Sequence, residues 1–250
     1  MIVVVMGAIV AAAGLLLWQL SPASSLLGHD ARPGAPSGAA RVGWFTVSWL
    51  LMTAATMLPT SLPLLSAFAR LLGDRRDAGR LIATVVAAYL ALWTVAGLAL
   101  ATIDAVVHIL AERTALARHT WLVLPLTLVV AGGYQLSGTS ARCLRACRLP
   151  FSFLARRWSG RRAAATEATL IGFDYGASCL GCCAALMLVM FAVGMSSPLL
   201  MIELGGVAAL YKRARWGATL ARATGIVLLL AAAVMGVGHV TGVAHVAGTH

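Results

Sequence analysis

Five cysteines fall in two tight groups, Cys143/Cys147 and Cys179/Cys182/Cys183, in a 250-residue chain that is 60% hydrophobic and only 11% charged. Thiolates are soft donors and select copper(I), with zinc next. Cys143 and Cys147 are four residues apart, so on a helix they share a face with Cβ atoms about 5–6 Å apart. A disulfide wants Cβ atoms about 3.5–4.5 Å apart. A metal about 2.3 Å from each sulfur bridges the wider gap. In Cys179-Leu-Gly-Cys182-Cys183 the first cysteine shares a helix face with each of the others, whereas adjacent Cys182 and Cys183 are expected to diverge. Met187 and Met190 continue nearby with thioether sulfur. Cysteine also packs as a small apolar residue, and that plainer reading stands beside the metal one. Two clusters brought to one side of a membrane, with arginines able to lower thiol pKa, favour the metal.

A second constellation is chemically unlike the first. Asp104 and His108 stand one helical turn apart with Glu112 a turn further, offering carboxylate and imidazole in place of sulfur. His119, His239, His245 and His250 could add imidazoles on the same side. The alternative is a simple Asp–His hydrogen bond at an interface. Glu203, inside another apolar run, reads either as a protonated, hydrogen-bonded acid or as part of an ion path.

The elements that must position these residues are membrane spans. Apolar runs cover residues 2–20, 44–71, 81–110, 121–136, 176–195, 198–211 and 217–240, each near the roughly 20 residues that cross a bilayer. The expected fold is all-α: a polytopic transmembrane bundle of about seven spans. The first run begins at residue 2 with no basic stretch before it, and reads as a retained span rather than a cleaved signal. Residues 21–43, which hold a Ser/Pro/Gly/Ala-rich stretch, form an outer flexible loop, residues 44–240 the metal-binding bundle, and residues 241–250 a short outer tail. Residues 137–168 mix arginines with Leu144, Leu149, Phe151, Phe153, Leu154 and Trp158, which suits an interfacial helix between the fourth and fifth spans.

A net charge of +11 might suggest nucleic acid, but the basic residues follow topology instead. Arg70, Arg75, Arg76 and Arg80, then Arg142, Arg145, Arg148, Arg156, Arg157, Arg161 and Arg162, then Lys212, Arg213, Arg215 and Arg222 occupy alternate loops, 15 of the 19 basic residues. Only Arg32, Arg41, Arg113 and Arg118 lie on the other side. This places the N-terminus in the cytoplasm and the C-terminus outside, with the lipid bilayer and its anionic headgroups as the partner of the charge. Both cysteine groups then sit near the cytoplasmic boundary, the second in the first turns of the fifth span, where thiols stay reduced.

Several short elements together resemble a bacterial family of predicted metal-binding integral membrane proteins of unknown function. They are Trp49-Leu-Leu-Met52, Ala55-Thr-Met57-Leu-Pro59 with Pro63, Ala88-Tyr89 with Trp93, and Gly133-Tyr134-Gln135-Leu136. Cys143-Leu-Arg-Ala-Cys147-Arg148-Leu-Pro150 and Cys179-Leu-Gly-Cys182-Cys183 follow, with Leu186-Met187 and Gly194-Met195. The similarity runs from about Trp49 to Val234. It implies metal binding in a bacterial cytoplasmic membrane, with copper the usual suspicion, and establishes no reaction. The chain departs from the family pattern at Thr56, Ser140, Ala184 and Tyr211, all outside the thiols.

The residues leave three function classes open, and whether the chain is an enzyme is not fixed. One is copper(I) handling through Cys143, Cys147, Cys179, Cys182 and Cys183: delivery, transport or loading of a metal-receiving or metal-donating protein. Another is a membrane-bound metal-dependent oxidoreductase or monooxygenase component using Asp104 and His108 near the outer face. A third reading, a membrane subunit whose cysteines only pack, has no metal. The sequence carries no P-loop and no room for a nucleotide domain, which excludes an ATP-driven pump as a single chain.

Overall fold

The computed structural model describes residues 39–113, 121–193 and 198–240, and among them the only regular secondary structure is helical. Nine α-helices follow one another: α1 Ala39–Thr56, α2 Leu62–Leu72, α3 Ala78–Arg113, α4 Val123–Leu136, α5 Gly138–Arg148, α6 Pro150–Arg157, α7 Ala164–Val193, α8 Pro198–Arg213 and α9 Gly217–Val240. The proposed first span, most of the loop after it and the tail 241–250 lie outside the described residues. The last expected span matches α9 in both limits. Among the described residues, three helical stretches are long and apolar enough to cross a membrane, Ala78–Ile103, Ala164–Met190 and Gly217–Gly238, with a fourth if a bent pair counts as one. At 14 and 16 residues, α4 and α8 are shorter than a full crossing.

That bent pair occupies the single span expected over 44–71, which is broken rather than straight. The chain turns by 44° between Thr56 and Leu58, and a 3₁₀ turn, Leu58–Ser61, separates α1 from α2. Pro59 and Pro63 supply the reason, since each removes a backbone donor and crowds the preceding turn. The Thr60 and Ser61 hydroxyls donate to the carbonyls of Met57 and Leu58 at 2.7 Å, which keeps the broken turn satisfied.

The single interfacial helix expected over 137–168 is instead two short helices and a loop. Ser137 caps α5 by accepting the Ser140 N–H at 3.2 Å, and Pro150 ends it, because the residue before a proline avoids the helical region. Beyond α6, the carboxylate of Glu167 collects the backbone N–H groups of Ser159, Gly160, Arg161 and Arg162 and the Ser159 hydroxyl. Gly160 stands at φ +69°, where a side chain would strain the turn. This clasp makes Glu167 part of the first turn of α7, and the helix starts at Ala164 rather than near Gly176. Asp174 on α7 binds Arg156 at 2.8 Å and Arg157 at 2.6 Å, which pins α6 along the same helix.

The core gathers around α7, which packs against α3, α4 and α5. Along α3, Leu81, Val85, Tyr89 and Trp93 recur every four residues and are all buried. Trp49 of α1 reaches across to donate its indole N–H to the Trp93 carbonyl at 2.7 Å. The apolar residues on the outward faces of α4 and α9, such as Leu126, Val130, Val227 and Leu230, are exposed.

Candidate thiol centre

The fold brings the two cysteine groups together. Because α5 folds back beside α7, the Cys182 thiol lies 3.7 Å from Cys147 Sγ and 3.5 Å from Cys183 Sγ. It also approaches the Cys179 carbonyl at 3.2 Å. Cys147, Cys179, Cys182 and Cys183 are all buried and free, within one hydrophobic core. The expected divergence of Cys182 and Cys183 is therefore corrected. Their Cα atoms point about 100° apart around the helix, but one rotatable bond per side chain lets the sulfurs turn toward each other. The group also lies mid-helix rather than in the first turns, 15 residues past Ala164 or about 22 Å along the axis.

Cys143 sits at the edge. It is half-buried, and burial pushes its thiol pKa up. Its sulfur packs against Gly181 so closely that a Cβ built there would lie 2.5 Å away, so glycine is what allows α5 and α7 to touch at this level. The Tyr134 hydroxyl of α4 donates to the Gly181 carbonyl at 2.8 Å and fastens the same spot from a third helix.

Cys179 has partners of a different kind. The ammonium of Lys212 at the end of α8 stands 3.0 Å from its sulfur and donates to Thr60 Oγ1 at 2.8 Å. The Tyr89 hydroxyl is 3.0 Å from the same sulfur. Tyr175, one turn before Cys179, donates to the Thr60 carbonyl at 3.2 Å. The cation at the thiols is thus a buried lysine, and several loop arginines reach other groups. Arg148, for instance, donates to the Tyr211 carbonyl at 3.1 Å. Met187 and Met190 are buried in the same core, together with Met52 and Met57.

Neighbouring ligands on a tetrahedral metal with bonds of about 2.3 Å sit about 3.8 Å apart. The sulfur separations at Cys182 are already close to that. Among the described residues, no group of three or more His, Cys, Asp or Glu side chains is arranged to hold a metal ion as it stands. The arrangement is a buried nest of reduced sulfur in which a pair, Cys147 and Cys182, spans two elements.

The other candidate residues gain nothing comparable. Asp104 and His108 lie on the backbone of α3, but their side chains fall outside the described set, as do those of Glu112, His119, His239, His245 and His250. Glu203, read mid-span as either a protonated, hydrogen-bonded acid or part of an ion path, is exposed on α8.

The helical bundle thus brings three buried thiols, those of Cys147, Cys182 and Cys183, together between α5 and α7. The chain belongs to the copper chaperone family PpoB2, whose family model matches residues 46–235 and so takes in every helix of the thiol centre. No curated protein and no solved structure matches the chain.

The sequence motifs single out all five cysteines as candidates but do not point to Lys212, Thr60 and Tyr89 beside them. Lys212 was grouped with loop charges that follow an apolar run. The available signal was spacing: Ala208, Tyr211 and Lys212 share one buried face of α8, an unusual place for an ammonium. Tyr89 carries a fainter one, as the only hydroxyl in the stripe Leu81, Val85, Tyr89, Trp93.

Proposed function

We propose that this chain is an integral membrane copper(I) carrier that takes the ion between Cys147 and Cys182 and hands it to a partner protein. Cys179 and Cys183 provide reserve donors, and Cys143 stands at the mouth of the site. Copper is cargo here rather than a resident cofactor; zinc is the second ion such sulfur accepts. The observation that carries this reading is the meeting of cysteines from α5 and α7 in one buried group, which neither motif alone required. Exchange between thiolates lets copper move from one chain to another without being released, and extra thiols next to the bound pair are what such exchange needs.

The seven-span topology, with a cytoplasmic N-terminus, belongs to the same proposal. In it the clamp of Arg156 and Arg157 on Asp174 marks the cytoplasmic headgroup level, since charged pairs gather there. Cys179 then lies about 7.5 Å deeper along α7. Short α5 and α6, lying against α7, form the approach from the cytoplasm.

The test is metal analysis of protein purified without oxygen after loading with copper(I). Wild type should retain copper, and a variant with Cys179, Cys182 and Cys183 all changed to Ser should lose most of it while still inserting. Unchanged copper in the triple variant would return the cysteines to a packing role.

A further inference from the structure

Lys212 is the least expected residue of the thiol centre. The residue is only 8% exposed, and none of the ion pairs among the described residues, which join Arg75 to Asp77 and Arg156 and Arg157 to Asp174, involves it. Its Nζ is fixed between Thr60 Oγ1 at 2.8 Å and Cys179 Sγ at 3.0 Å. Thr60 is itself held, donating to the Met57 carbonyl and accepting from Tyr175 through its own carbonyl. An ammonium has only donors to offer, so in this apolar setting its counter-charge must come from the thiol centre as a whole, with Cys179 itself kept as a neutral thiol.

We propose that Lys212 is a valence filter, whose fixed positive charge makes the thiol centre select univalent copper over divalent zinc. The inference rests on the copper site proposed above and deepens it by naming what sets the choice of ion. Two thiolates with copper(I) carry one net negative charge, which the ammonium cancels. Two thiolates with zinc are already neutral, so the ammonium is left uncompensated in a low-dielectric interior. Zinc could recover balance by recruiting more sulfur. Its tetrahedral shell then needs all four buried thiols, and Cys179 already faces the ammonium and the Tyr89 hydroxyl. Copper(I) is content with two sulfurs and needs no such rearrangement. At an effective dielectric of about 20, an extra unit of positive charge held roughly 5 Å from an ammonium would weaken binding on the order of a hundredfold.

The experiment uses the full chain in detergent, without oxygen, offered copper(I) and zinc together at buffered concentrations, with the bound ratio read by elemental analysis. Lys212→Gln removes the charge but can still donate to Thr60, and Lys212→Arg keeps the charge. The glutamine variant should raise the zinc-to-copper ratio on the order of a hundredfold, while the arginine variant stays near wild type. If the glutamine variant gives no monodisperse protein, Lys212→Met is the neutral replacement of similar length and carries the same expectation. A neutral variant with the wild-type ratio overturns the filter while leaving the copper site standing. An arginine variant that shifts as far as the neutral one overturns it as well, since charge would then not be the cause. Wild-type protein that retains neither ion overturns the copper site and the filter together.

Discussion

Gly181→Ala should damage the thiol centre without removing a single sulfur. The added methyl would sit 2.5 Å from Cys143 Sγ and 3.1 Å from its Cβ, and the first of these is shorter than real contacts allow. Either the Cys143 side chain rotates away or α5 moves off α7. Overpacking of this kind costs about 1–3 kcal/mol, and for a protein of this size each kcal/mol lowers Tm by about 2–4 °C. Movement of α5 carries Cys147 away from Cys182, a pair now at 3.7 Å, so copper affinity should fall with stability. The double variant Gly181→Ala/Cys143→Ala supplies the control. Removing Sγ relieves the worst contact and leaves only the 3.1 Å approach, so the pair should recover more than half of the lost Tm, with a coupling of about 1 kcal/mol or more. Thermal unfolding in detergent and anaerobic competition with a copper(I) chelator measure the two effects. Strictly additive losses in the double variant would show that Gly181 does not set the spacing of the two helices.

Three further outcomes follow from the same geometry. Glu167→Ala frees the N–H groups of residues 159, 160, 161 and 162 that its carboxylate now holds, so trypsin should cut after Arg161 and Arg162 faster than in wild type; equal cleavage would mean the clasp does not order the loop. Because burial raises the Cys143 thiol pKa, its reactive thiolate should appear only as pH rises past the ordinary thiol range, and iodoacetamide labelling of a variant keeping only Cys143 should climb later than that of a free model thiol. A labelling midpoint at or below the model thiol contradicts that placement. Reporter fusions should put Ala155 in the cytoplasm and His250 outside, as the arginine pattern requires, and both on one side would sink the seven-span arrangement.

Much of the fold was legible because apolar length and helix type are read from short stretches of sequence. The limits of α9 and the existence of α3 and α4 came directly from such runs. The break between α1 and α2 was signalled by Pro59 and Pro63 but hidden by the apolar residues around them, which fill a span equally well whether straight or bent. The early start of α7 depended on Glu167 reaching back to residues 159–162, a tertiary clasp that leaves no periodic trace. The cysteines were legible by residue type and spacing. Their supporting residues were not, because a lysine beside Tyr211 and a tyrosine in an apolar stripe gain meaning only when α3, α7, α8 and the turn at Thr60 meet.

The most direct test of the copper centre is the X-ray absorption spectrum of the anaerobic, copper-loaded full chain. Two to three sulfur ligands about 2.2–2.3 Å from a copper(I) ion, with no nitrogen or oxygen shell, are the expected result. The same spectrum from a Cys147→Ser/Cys182→Ser variant should lose that shell or show a weakened remnant. Copper bound through nitrogen or oxygen in wild type, or a sulfur shell unchanged in the double variant, would contradict the assignment of these thiols as the site that carries the ion.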